Sequence, residues 1–588
     1  MEIRSYLKDH ILLFDGAMGT YYAARNRQGE PCCEMANLSM PEEIRAIHRA
    51  YLAAGCGAIK TNTFAANRPA LGEKACREVI EAGFALAKEA AGDAFVFADI
   101  GPITGTEGMD LLEEYRFVVD LFLEVGAEHF LFETHSQDVC LHEMAAYIKA
   151  RAPQAFVMVS FAAQPDGFTR SGQLARNLYR RAIQNPQIDA AGLNCVSGAK
   201  HMVELVDTLE REEHHLLSAM PNAGYPTVLG ERIYYDGDPG YFAQQLGVLA
   251  EKGVKILGGC CGTTPEYMAA AAKVLETGTQ KRIVIQAALP SAAKQPVENR
   301  FWEALCDENH RPVAVELDPP EAADVTKFMA GARELQENGA AIITIADCPI
   351  ARARMDASIL ACKIRRELHL EALPHMTCRD RNTNATKALL LGLCAEDIHN
   401  VLVVTGDPIP SASRDEVKSV YNFNSRMLAQ YVAALNETVL PTPFRIFGAL
   451  NVNAVNFGVQ LRLAKEKIEN GVCGFLTQPV LTEQALDNLK QARQELDAKL
   501  LGGIIPIVSH RNALFMNSEV AGITVDPKII ELYEGKNREQ GEELAVKISA
   551  AVAEAMADYV DGFYLMTPFG RTGLMARIME ELRQRGLT

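Results

Sequence analysis

VKILGGCC (residues 254–261) is a short apolar run that stops in two glycines and two cysteines, the last of eight such runs in the first half of the chain. The others are ILLFDG (11–16), GAIKTNTF (57–64), FVFADIG (95–101), HFLFETH (129–135), FVMVSFA (156–162), AAGLNC (190–195) and LSAMPNAG (217–224). Nearly all begin apolar and finish in Asp, Asn, Glu, Thr or Cys, and longer amphipathic stretches separate them. That alternation marks repeated βα units. Polar groups gathered at the carboxyl ends of the strands predict a (β/α)8 barrel. A second set follows: VAVELDPP (313–320), AAIITIADC (340–348), ALPHMTC (372–378), VLVVTGDP (401–408), RIFGALN (445–451), GFLTQP (474–479), IIPIVSH (504–510) and GFYLMTP (562–568). Each half is close to the roughly 250 residues usual for such a barrel. The expected fold is α/β, two TIM barrels in tandem, with an open doubly wound sheet as the alternative for either half. AALPSAAKQPVE (287–298), rich in Ala, Pro and small polar residues, reads as a linker, so domains are expected at 1–282 and 305–588 with 283–304 between them.

The 588 residues suffice for two full cores, and 48% hydrophobic with 23% charged content describes an ordinary globular chain. A net charge of −17 without a clustered basic stripe argues against nucleic acid and anionic membrane as partners. There is no signal-peptide h-region after Met1 and no apolar run of membrane-spanning length. Fourteen cysteines without framework spacing read as reduced thiols, some of them ligands, and the expected location is the cytoplasm.

Three of those cysteines carry the most chemistry. Adjacent residues in a strand face opposite sides of the sheet. Gly258 and Gly259 before Cys260-Cys261, and Gly262 after, let the backbone turn so that both sulfurs reach one ion. With Cys195 they would form a three-thiolate zinc site with its fourth position open, the arrangement of catalytic zinc. Buried structural thiols are the plainer alternative. A metal lowers the pKa of an incoming thiol, as it does for bound water, and thiol alkylation needs that help at pH 7.

FDGAMGT (14–20), TNTF (61–64), ETHS (133–136), GLNC (192–195), PNAG (221–224) and GGCCGTTPEYM (258–268) together resemble the homocysteine S-methyltransferase family over roughly residues 1–280. The resemblance implies zinc on Cys195, Cys260 and Cys261, with Asp15 and Glu133 holding the homocysteine amino group. Two positions depart from the pattern: Lys60 stands where Glu often precedes TNTF, and His135 where an aromatic is common. Three methyl donors stay open: an onium compound such as S-methylmethionine or S-adenosylmethionine, methyltetrahydrofolate, or a separate corrinoid protein. The nearest string to a cobalamin lower-ligand motif is Asp397-Ile398-His399, with Leu402 where that motif has Gly.

VELDPP (315–320), LPHMTC (373–378), VVTGDP (403–408) and FLTQPV (475–480) resemble methylenetetrahydrofolate reductase over roughly residues 305–588. That resemblance implies FAD, with NAD(P)H as co-substrate. It makes Glu316 the general acid, Asp407 the carboxylate beside the flavin, and Gln478 a hydrogen-bonding partner of the pterin or nicotinamide. His375, Thr405 and Gly406 match flavin-contacting positions, and Tyr421, Ser425, Ala449 and Lys467 match in looser segments. Ala346 replaces a usual hydroxyl residue. A buried Glu316 is expected to have a raised pKa, which suits an acid working near neutrality. There is no GxGxxG fingerprint, hence no Rossmann domain. The order of the halves resembles bifunctional bacterial proteins that join these two families, and the resemblance implies a methyl route from methylenetetrahydrofolate to methionine, without implying direct transfer between the halves. One half acting only as a binding or regulatory module, and a thiol–metal sensor, are the alternatives. A homo-oligomer is an open possibility on sequence alone.

Overall fold

The computed structural model describes residues 2–26, 32–105, 108–210, 212, 215–229, 232–235, 237–277, 298–409, 419–519, 522–567 and 570–588. It divides into two compact units, Met1–Leu289 and Pro290–Thr588. The stretch 287–297 expected as a linker lies outside the described residues, and 300–304 stand in a helix.

In the first unit the strands are β1 (Leu12–Leu13), β2 (Ala58–Lys60), β3 (Phe95–Ile100), β4 (His129–His135), β5 (Phe156–Phe161), β6 (Ala190–Gly198), β7 (Leu216–Asn222), a hairpin β8 (Pro226–Leu229) and β9 (Arg232–Tyr235), and β10 (Ile256–Leu257). Apart from the antiparallel hairpin they pair in parallel in the order β1-β10-β7-β6-β5-β4-β3-β2. Gly57 N–H donates to the Leu13 carbonyl at 2.8 Å and Asp15 N–H to that of Ala58 at 3.0 Å, so β2 returns to β1 and the ring closes. The sequence reading did not foresee the hairpin, which stands between β7 and the helix Pro239–Glu251.

The second unit is a closed barrel of β11 (Val313–Leu317), β12 (Ile342–Ile345), β13 (Glu371–Thr377), β14 (Asn400–Val404), β15 (Arg445–Leu450), β16 (Val472–Pro479), β17 (Lys499–Ile504) and β18 (Gly562–Met566). Helices between the strands cover both barrels. Two tandem TIM barrels are therefore what the chain forms, and the open-sheet alternative falls. One strand needs correction. The seventh of the second set is Lys499–Ile504, and the expected IIPIVSH run shares only Ile504 with it. Gly502 and Gly503 make KLLGGI a weak strand by composition, yet a Cβ at Gly503 would meet the Gln478 carbonyl at 2.8 Å. The glycines are there for close approach.

Both barrels are stoppered by the same device. Ile3 and Leu7, four apart on the helix Ile3–Asp9, bury against Leu12, Phe97, Leu131 and Ile256 inside the first barrel. Phe301 and Leu305, again four apart on the helix Arg300–Cys306, bury against Ala314, Leu373, Phe447 and Leu501 inside the second. An i, i+4 apolar pair lies on one helix face. It closes the amino end and leaves the carboxyl ends of the strands for polar groups. No helix among the described residues is long and apolar enough to cross a membrane.

Candidate functional site

In the first barrel the three cysteines converge. One Sγ from each of Cys195, Cys260 and Cys261 lies within 4.8 Å of the others, and Cys195 and Cys261 are 3.7 Å apart. Zinc–sulfur bonds of about 2.3 Å in a tetrahedron put sulfurs roughly 3.8 Å apart, so the triad fits a zinc ion. Hydrogen bonds from Cys195 and Cys260 draw the Cys261 thiol well below its ordinary value, while the Cys195 and Cys260 thiols are pushed up, so the cup favours one thiolate shared among three sulfurs.

Backbone distortion makes the cup. The ladder between β6 and β7 slips between Asn194 and Gly198, and that between β4 and β5 between Phe132 and His135. Cys195 and Val196 take φ of 58° and 60°, and Thr134 takes 64°. Such left-handed geometry is rare for residues with a Cβ and for β-branched residues above all. The Cys260-Cys261 pair lies beyond β10, and Gly262 turns the chain with φ +81° against the ring of Tyr235, which leaves no room for a Cβ there. The Tyr235 hydroxyl bonds Cys261. Thr263 Oγ1 donates to the Cys260 carbonyl at 2.7 Å and accepts from Ala17 N–H at 3.1 Å, which laces the GGCCGTT loop to the FDGAMGT loop.

Asn194 joins the thiols to the predicted substrate carboxylate. It is fully buried, donates from Nδ2 to Glu133 Oε2 at 3.2 Å and Thr134 Oγ1 at 2.7 Å, and stands 4.0 Å from Cys260 Sγ. Its Oδ1 accepts from Thr134 N–H at 2.9 Å. Burial pushes the Glu133 carboxyl up, against the pull of Lys60.

Lys60 is the departure with the largest structural effect. Its Nζ lies 2.9 Å from Asp15 Oδ1, and its N–H donates to Asp15 Oδ2 at 3.0 Å, with both side chains buried. Burial opposes the charge on Lys60, but Asp15, Glu133, Cys260 and Asp99 outweigh it and hold the ammonium charged. Burial raises the Asp15 carboxyl in turn. Asp15 is thus already engaged by a cation from its own chain, while Glu133 has only the neutral Asn194 as a hydrogen-bond donor among the described residues.

In the second barrel Glu316, near the end of β11, accepts a hydrogen bond on Oε2 from the Tyr564 hydroxyl of β18. His375 Nε2 lies 3.8 Å from the same oxygen, buried and without a hydrogen-bond partner. Burial lifts the Glu316 carboxyl to about 7 and depresses the His375 imidazole to about 4. Thr405, Gly406 and Asp407 follow β14 directly, and Asp407 Oδ2 accepts from Ile350 N–H at 2.8 Å. Lys467 donates to the Ala449 carbonyl at 3.0 Å, and burial lowers its pKa to about 8. Gln478 stands near the end of β16. Ser425 opens the helix Ser425–Thr438, and Tyr421, with φ 37°, is 41% exposed. No hydrogen bond among the described residues ties these last two to the rest. The His375 Nε2, which has no hydrogen-bond partner, and the half-buried Lys467 beside the strand ends fit a bound flavin. Sequence reasoning overlooked Tyr564, whose only signal was a hydroxyl inside the apolar string GFYLM. It quoted Asn194 within GLNC and gave it no role.

Residues 12–275 match the family model for homocysteine S-methyltransferase, and residues 302–583 match that for methylenetetrahydrofolate reductase. Each half of the chain thus matches one of the two family models. The resemblances drawn for both halves are borne out. Methionine synthases of Mycobacterium tuberculosis and Mycobacterium leprae are similar to it, 30% identical over 298 residues and 31% over 315, covering 45% and 48% of this chain. The match takes in 25% and 26% of those relatives, so the chain spans about a quarter of their length. The metallated form of the Escherichia coli homocysteine methyltransferase MmuM is 23% identical, with 46% of this chain and 99% of that one covered at a TM-score of 0.38.

Proposed function

We propose that the first barrel transfers a methyl group to the thiol of homocysteine and that the second reduces 5,10-methylenetetrahydrofolate to 5-methyltetrahydrofolate. The observation that carries the reading is the three-thiol cup wired through Asn194 to Glu133. Cys195, Cys260 and Cys261 would hold zinc, which makes a coordinated thiol acidic and keeps it nucleophilic. Glu133 receives the substrate ammonium, and Asn194 fixes that carboxylate relative to the sulfurs. Asp15, already paired with Lys60, shapes the pocket beside it.

In the second barrel His375, Thr405, Gly406, Ala449 and Lys467 would hold FAD, with Tyr421 and Ser425 at its edge. The flavin supplies a hydride taken from NAD(P)H. Glu316, whose burial raises its carboxyl to about 7, gives its proton to the departing amine as the folate's methylene bridge opens. Asp407 steadies the cation so formed, and Gln478 orients the pterin.

Freshly purified full-length protein tests both halves at once. About one zinc and one flavin per chain are expected, with zinc alone lost in a Cys260→Ala, Cys261→Ala variant. Methionine formation is then measured with S-methylmethionine, S-adenosylmethionine and methyltetrahydrofolate in parallel, and with a methylated corrinoid protein as the fourth donor. Flavin without zinc after anaerobic handling, or zinc without methionine from any donor, sinks the methyltransferase reading.

A further inference from the structure

Tyr564 and His375 converge on the same oxygen of Glu316. Tyr564, on β18, donates its hydroxyl proton to Oε2, and His375, on β13, faces Oε2 from 3.8 Å. No hydrogen bond among the described residues reaches Oε1. A protonated carboxyl has one O–H to offer, and an oxygen already accepting a hydrogen bond is the poorer place for it. From this geometry we propose that Tyr564 is a positioning residue that keeps the Glu316 proton on Oε1, the oxygen left without a hydrogen bond among the described residues.

The role rests on the reading of Glu316 as the acid of the reductase half. When the methylene bridge opens, the carbon–nitrogen bond breaks toward the departing amine nitrogen, and that nitrogen takes the Oε1 proton. The negative charge left on Glu316 then falls partly on Oε2, where the Tyr564 O–H already points. One side chain thus presents the proton beforehand and holds the carboxylate afterwards, and solvent returns the proton once product leaves. Tyr564 is only 6% exposed and packs in the barrel interior with Phe301, Leu373 and Phe447, so the phenol is fixed in place. Asp318, just past the end of β11, is the other charged group acting on Glu316, and Thr344 is its register partner on β12. The carboxylate of Asp318 pushes the Glu316 pKa up, and the Tyr564 hydrogen bond, a larger influence, draws it down.

An infrared difference titration of the full-length holoprotein, with Glu316→Gln subtracted, reads the Glu316 carboxyl directly. In wild type it is expected to titrate near pH 7. In Tyr564→Phe the midpoint should rise by about one to two pH units, the worth of a hydrogen bond to a charged group. Folate turnover should fall at least tenfold, while flavin content and flavin reduction by NAD(P)H stay at wild-type values. An unmoved or lowered midpoint overturns the proposal. Absence of folate turnover in wild type, with the shift intact, instead counts against the reductase reading and leaves the hydrogen bond's role standing. If Tyr564→Phe does not fold, global fluorotyrosine incorporation makes the phenol a stronger donor and must move the midpoint downward; no movement there also overturns it.

Discussion

Replacing Lys60 by Met removes the ammonium that sits 2.9 Å from Asp15 and leaves that carboxylate buried beside Glu133 and Asp99. Breaking a buried ion pair from one side costs about 3–5 kcal/mol, because the surviving charge is uncompensated. Asp15 has one escape, which is to bind a proton. Taken from an unfolded-state pKa of about 3.9, that escape caps the loss at about 4 kcal/mol at pH 7 and about 1.5 kcal/mol at pH 5. Burial already pushes the Asp15 carboxyl up, and loss of Lys60 removes the nearest group holding it down. A carboxyl raised in the folded state binds its proton more tightly folded than unfolded. The deficit is therefore absent below pH 4, grows as pH rises, and levels off above the raised folded value. The only tryptophan, Trp302, lies in the second unit, packed beneath Arg445 at 4.5 Å. Urea unfolding followed by Trp302 fluorescence then reports the second barrel alone, and far-UV circular dichroism reports both. Lys60→Met should shift the dichroism transition of the first barrel and leave the fluorescence transition unmoved. A first-barrel shift under about 1 kcal/mol at pH 7, or one of equal size at pH 5 and pH 7, would falsify the assignment of Lys60 as the group holding Asp15.

Glu316→Gln should slow the folate step by about 10²- to 10⁴-fold while flavin reduction continues, and stopped-flow separation of the two half-reactions checks it. Wild-type folate turnover should fall as pH rises through about 7, where the raised carboxyl gives up its proton, and a profile flat from pH 6 to pH 9 contradicts that. Asn194→Ala strips Glu133 and the Thr134 N–H of their partner; zinc should be retained, with homocysteine KM up by about tenfold or more, the worth of one buried hydrogen bond, as measured by metal analysis and initial rates. Gly503→Ala drives a Cβ toward the Gln478 carbonyl and should cost the second barrel about 1–3 kcal/mol by Trp302 fluorescence, with the first unchanged.

Much of this was legible because barrel strands state their business at their ends. VELDPP and VVTGDP each run apolar into a carboxylate; β11 carries Glu316 one residue before its end, and β14 stops just before Thr405. β17 was misplaced since its interior glycines serve a neighbour's backbone, a reason invisible in a one-dimensional pattern. β10 keeps only Ile256 and Leu257 in the ladder, because the glycines after it and the turn at Gly262 carry the cysteines away from the sheet. The thiol triad came through, being tied to rare residues at strand ends. The Lys60–Asp15 pair did not: the departure at Lys60 was visible, but its partner lies 45 residues earlier and is set by the closing of β2 onto β1. Tyr564 was hidden for the opposite reason, since an aromatic in an apolar strand usually means core, and here it is core with a working hydroxyl.

The left-handed backbone at Cys195 and Val196 bears on the order in which such a protein is assembled. In small zinc modules the metal drives folding, and the chain has no site until the ion arrives. Here the barrel's hydrogen-bonded strands and apolar core make up most of the fold, and the three thiols are a small part of it. If the thiols hold zinc as proposed, a newly made chain would fold first on its core and take up the ion afterwards. Metal supply would then govern how many molecules are active at a given moment, and leave how many are folded to the barrel.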